Sequence, residues 1–103
     1  MEIKITVATT TLDAEIAAGA PLPDLIKMDI EFAEHLALKW ARQLLDRGRT
    51  IIAFECYKRE AIDLLLVRNW AVFAVDQLNN CLAVPPPMIE SARPVTRNLT
   101  KVE

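Results

Sequence analysis

The chain is poor in glycine: two in 103 residues, Gly19 and Gly48, far apart and isolated. That excludes a glycine-rich turn of the kind that brings backbone close to a phosphate or a dinucleotide. Histidine occurs once, as His35, and cysteine twice, as Cys56 and Cys81. Two thiols make no disulfide framework, and their spacing is not that of a metal site. Both fall in apolar surroundings and read as reduced, buried thiols of a cytoplasmic chain. No apolar run approaches the length of about 18 residues needed to span a bilayer, and no charged-then-apolar leader opens the sequence. Neither sign of charge dominates: twelve basic against fourteen acidic residues give a net charge of −2. Without clustered Lys and Arg, nucleic acid is not an expected partner, and nothing points to a membrane. Asn98-Leu99-Thr100 fits the glycosylation pattern, but so short a pattern recurs by chance.

What remains is the composition of a folded domain, with 52% hydrophobic and 25% charged residues. Ile3, Ile5 and Val7 alternate with polar neighbours, the period of a strand. Thr10 or Thr11 caps a helix to about residue 18, which Gly19, Pro21 and Pro23 end. Leu25 to Met28 follows as a buried strand. From Phe32 to Arg47 apolar residues recur at helical spacing, with Gly48 as the stop. Thr50 to Phe54 is an almost continuous apolar run, as in a central parallel strand. Another helix is expected over 59–67, then strands over 70–75 and 81–84 joined by the turn-prone Gln77–Asn80. The order is βαβαβαββ: an α/β fold with a mainly parallel, Rossmann-like half sheet, flanking helices and a C-terminal antiparallel hairpin. Residues 1–86 form this single unit, and 87–103 are expected as an extended or flexible tail.

Several segments taken in order resemble the carboxyl-terminal half of the FkbM-type methyltransferases. Thr11-Leu12-Asp13-Ala14 is similar to that family's TLDxL segment. Asp24-Leu25-Ile26-Lys27-Met28-Asp29-Ile30-Glu31 is similar to its DLIKIDVEG core, and Ile51-Ile52-Ala53-Phe54-Glu55 to the next strand with its terminal acid. Trp70-Ala71-Val72-Phe73 and Asn80-Cys81-Leu82-Ala83-Val84-Pro85 resemble its closing hairpin. The resemblance implies an S-adenosylmethionine enzyme on a Rossmann-like sheet, its cofactor held by a glycine-rich turn and by an acid after the second strand. This chain has no such turn, so no cofactor is expected. Where the family's EGAE has glycine stands Phe32, and where its LxGA has glycine stands Trp40.

Phe32, Leu36 and Trp40 lie four residues apart and form an apolar ridge on one helix face. Aromatics of this kind bury about 150–250 Å² each, which makes exposure costly at about 25 cal/mol per Å². In the family the strand preceding this core in sequence is not its neighbour in space, so the Leu25–Met28 strand is expected to have an open edge. Open apolar edges pair with something: either the Ile3–Val7 strand moves in as a new neighbour through a right-handed crossover, or a second copy supplies the pairing. The expectation is a symmetric homodimer through that edge and the Phe32, Leu36, Trp40 ridge, the behaviour of a truncated or engineered, non-catalytic fragment. The alternative is a degenerate or split methyltransferase that needs a partner half and S-adenosylmethionine.

Asp29, Glu31 and Glu55 fall at strand ends and are the candidate catalytic acids, since neighbouring carboxylates can raise a pKa for base work. Glu31 and His35, four residues apart, are the candidate metal pair. Glu31 and Glu34 equally suit the first turn of a helix, where negative charge is favoured. Arg42, Asp46, Arg47, Arg59, Glu60 and Asp63 read as solvated helix surface.

Overall fold

The computed structural model describes residues 12–29 and 33–103. In chain order these form α1 (Leu12–Ala17), β1 (Leu25–Met28), α2 (Glu34–Lys39), α3 (Arg42–Arg47), β2 (Ile51–Glu55) and α4 (Arg59–Leu66). Next come β3 (Ala71–Ala74), β4 (Asn80–Val84), a 3-10 turn (Pro86–Met88), α5 (Ile89–Thr96) and β5 (Thr100–Val102). The expected strand at 3–7 and the caps Thr10 and Thr11 lie outside the described residues.

The five strands make one sheet in the order β1-β2-β4-β3-β5. The β1–β2 pair is parallel, with Leu25 opposite Ile51 and Met28 opposite Phe54. β4 lies between β2 and β3 antiparallel to both, and β5 pairs antiparallel with β3. The sheet is therefore mixed, not mainly parallel. The short connection from β3 to β4 forces those strands to run oppositely, and it is β4 that turns back onto β2. At the other side, Thr50 Oγ1 donates to the Pro23 carbonyl at 2.5 Å, and Ile51 N–H donates to the Asp24 carbonyl at 2.9 Å. These two bonds fix the starts of β1 and β2 side by side.

Alternation along the strands assigns the faces. Ile26, Met28, Ile52, Phe54, Val72, Cys81 and Ala83 share one face, packed under Leu38, Leu44, Leu45, Ala61, Ile62 and Leu65 from α2, α3 and α4. Ile16 of α1 joins the same layer. On the opposite face Ala71, Phe73 and Val84 lie under Met88, Ile89, Ala92 and Leu99. That second cover belongs to the β3–β4 side, so β1, expected as a buried strand, fully buries only Met28, and Leu25 remains 60% exposed.

The single helix expected over 32–47 is two. Near Trp40 the ladder tightens, with Ala41 N–H bonding the Leu38 carbonyl three residues back at 3.1 Å. The kink leaves Leu38, Ala41, Leu44 and Leu45 all facing the core. Gly48 ends α3 at φ 61°, a conformation that costs a side-chain-bearing residue strain, and Asn69 follows α4 at φ 63°. Residues 87–103, expected as an extended or flexible tail, contain α5 and β5. Pro86 suits the first position of the 3-10 turn, while Pro94 inside α5 removes one backbone donor and masks its helical signal. No helix among the described residues is long and apolar enough to cross a membrane.

Candidate functional site

The parallel pair sends the ends of β1 and β2 the same way, and chemistry-bearing residues gather there. Glu55, the last residue of β2, is half-buried, and its Oε2 accepts a 2.6 Å hydrogen bond from the Tyr57 hydroxyl. A cleft of about 240 Å³ opens beside it, lined by Lys27, Ala53, Glu55, Asp76, Asn80 and Cys81 among others. Asp76 lies in the β3–β4 turn and accepts from Leu78 N–H at 2.8 Å and from Asn80 Nδ2 at 2.7 Å. The Asn80 side chain, then the Leu78 N–H, hold its carboxyl below the ordinary value. Among the described residues, the cleft is thus lined by one cation, Lys27, and two carboxylates, Glu55 and Asp76, together with small and apolar side chains.

Among the expected acids, Glu55 lines this cleft. Asp29 is exposed just beyond β1 and does not line it. Glu31 and Phe32 lie outside the described residues, so the geometry of the Glu31–His35 pair does too. Among the described residues no group of three or more His, Cys, Asp or Glu side chains is placed to hold a metal ion.

Glu34 was expected only as a dipole-favouring charge, yet it is 3% exposed, and its Oε1 has no hydrogen-bond partner. The half-buried His35 beside it also has an unpartnered atom, Nδ1. Glu34 is close enough to Cys56 to disfavour its thiolate. Burial is the first cause of the raised Cys56 pKa, and the Lys58 main chain acts against it; the Cys56 Sγ itself donates to the Lys58 carbonyl at 3.3 Å. Burial likewise pushes the Cys81 thiol up to about 11. Both cysteines are free; Cys81 is buried as expected, whereas Cys56 is only half-buried. Sequence reasoning passed over Tyr57, Asp76 and Asn80. The Asp-x-x-x-Asn turn signal was present in the sequence, whereas the Tyr57 contact needs the chain to curl back on its own strand.

Of the expected interface residues, the two that are described are both exposed. Leu36 and Trp40 are 49% and 58% exposed, and Lys39 Nζ lies 5.7 Å from the Trp40 ring centroid. Trp40 borders a groove with Leu64 of α4 and Arg68 just beyond it, in the helix layer, whereas β1 is a margin of the sheet among the described residues. Trp70, by contrast, is core.

The strand ends, the terminal acid of β2 and the closing hairpin are the arrangement expected from the resemblance, and a family model described as the methyltransferase FkbM domain matches residues 2–78. The chain belongs to the FkbM methyltransferase family. The match takes in β1, β2 and most of the cleft, and it ends before β4, α5 and β5. Neither the curated proteins nor the solved structures compared with the chain give a match. Relative to the FkbM pattern, the chain's two glycines are used for turns after helices. Gly19 has φ 101° after α1, and Gly48 caps α3.

Proposed function

We propose that this FkbM-family chain is a self-associating α/β module, a homodimer that does not transfer methyl groups by itself. The observation that carries the reading is the position of β1. It is one of the two marginal strands of the sheet among the described residues, pairs there only with β2, and presents a 60% exposed Leu25. An apolar strand with an open edge is an association site unless it is blunted or covered. A second copy is the simplest closed partner. The absence of a glycine-rich turn from the sequence supports the non-catalytic half of the proposal.

Sedimentation equilibrium across micromolar concentrations tests it: twice the chain mass is expected, and a monomer throughout would overturn it. Titration with S-adenosylmethionine is expected to give no saturable binding. The cleft at the strand ends, with Glu55 held by Tyr57 beside Lys27, favours one second reading, in which these groups act on a substrate once a partner polypeptide supplies a cofactor half. Saturable micromolar binding of S-adenosylmethionine by the chain alone would contradict the first reading and favour an enzyme.

A further inference from the structure

The hydrogen bonds already formed by β1 determine which of its groups remain for a partner. In a strand, the N–H and C=O of one residue point to the same side, and successive residues alternate. The Asp24 carbonyl accepts from Ile51 N–H, and Leu25 stands opposite Ile51. Ile26 and Met28 therefore direct their main-chain groups to β2, while Leu25 and Lys27 direct theirs outward. This edge, open among the described residues, holds two donors and two acceptors, spaced as one hydrogen-bonding repeat.

Resting on the self-association proposed above, we propose that the contact is β1 against β1 of a second copy, antiparallel about a two-fold axis at Ile26. Leu25 of one copy then exchanges both main-chain bonds with Lys27 of the other, and Lys27 with Leu25. All four outward groups of each strand are used. Ile26 meets its own symmetry mate in a non-hydrogen-bonded pair, on the face where it already packs against the core. On the other face each exposed Leu25 lies opposite a Lys27, whose aliphatic stem can cover it while the ammonium stays in water. Asp24 falls opposite Met28, so no two like charges stand directly across the seam. This self-complementarity is what favours a second copy over an unrelated strand, and it makes one ten-stranded sheet across the dimer from two five-stranded ones.

The test combines a cross-link with a main-chain deletion. Cα atoms in a non-hydrogen-bonded antiparallel pair lie about 4.5 Å apart, within disulfide range. Ile26→Cys should therefore form an intermolecular disulfide on mild oxidation, at least about tenfold faster than Leu25→Cys, whose mates are diagonal. Lys27→Pro removes an outward donor from each copy while leaving the β1–β2 bonds, and should weaken the dimer about thirtyfold for two lost bonds. If Lys27→Pro fails to fold by circular dichroism, the cross-link alone decides. A wild-type dimer in which Ile26→Cys cross-links no faster than Leu25→Cys would overturn this seam and leave self-association standing. A wild-type monomer would overturn both. Leu25 and Lys27 amides protected from exchange in that monomer would show that the edge is covered within the chain itself.

Discussion

Replacing Glu34 by methionine should stabilise the protein, against the usual direction of a core substitution. Glu34 is 3% exposed, and its Oε1 finds no partner. A buried polar group left unsatisfied costs about 1–3 kcal/mol. Methionine is an unbranched chain of similar length and can occupy the same space without a polar atom to satisfy. The expected gain for Glu34→Met is about 1–3 kcal/mol. Glu34→Gln, which keeps a polar end, should gain less. Urea denaturation at one fixed protein concentration measures the difference, because association also shifts the transition. With a slope of about 1.5 kcal/mol per molar urea, the midpoint should rise by about 1–2 M at unchanged slope. A second readout comes from Cys56, whose thiolate the Glu34 charge disfavours in addition to burial. Removing that charge should bring the Cys56 pKa down and speed its alkylation at fixed pH. A loss of more than about 1 kcal/mol for Glu34→Met would refute the reasoning, since it would mean that the carboxylate has a partner in solution.

Three further outcomes can be checked in the same way. Gly48→Ala should cost about 1–2 kcal/mol from left-handed backbone strain. The added Cβ meets nothing nearer than Pro87 Cδ at 3.4 Å, so a much larger loss would point to a clash instead. Cys81, raised from 9.0 to about 11, contributes stability that is complete below pH 9 and lost as pH rises through 11. Wild type should therefore lose more stability than Cys81→Ala over that interval, and parallel curves would count against the shift. Acrylamide should quench Trp40, 58% exposed, and spare Trp70, 3% exposed. Trp40→Phe should then remove the quenchable fluorescence.

The sequence disclosed what depends on local pattern. Leu25–Met28, the 51–55 strand, the helix at 59–66 and the hairpin were legible because apolar spacing and turn residues mark each of them. The Gly48 stop was equally plain, since a lone glycine after an apolar helix face has one obvious use. Strand neighbours were not legible. Whether β3 or β4 pairs with β2 depends on which strand turns back, and no residue in 70–84 states it. The end of the chain misled because Pro94 interrupts a weak helical pattern whose apolar members, Ile89 and Ala92, find their partners on Phe73 and Val84 far back in sequence. The continuous helix over 32–47 was overcalled because periodicity carries through a kink when both halves face the same core. At the site, Glu55 was marked by its strand-end position. The burial of Glu34 was not, because a charged residue in a first helical turn looks solvated until α4 packs over it.

The mixed sheet also has a kinetic consequence. β3 and β4 are separated only by residues 75–79, so their pairing closes a short loop and belongs to the microsecond events of folding. β1 and β2 are separated by residues 29–50, with two helices between, and closing that longer loop carries a larger entropic cost. β1 also has a neighbour on one side only among the described residues, so it should dock after β2, β3 and β4 and open before them. Its amides should exchange earlier than those of β4, which is flanked on both sides. The strand that offers the docking edge is thus less protected than the inner strands of the sheet, and binding a partner there would act first on the rate at which this margin unzips.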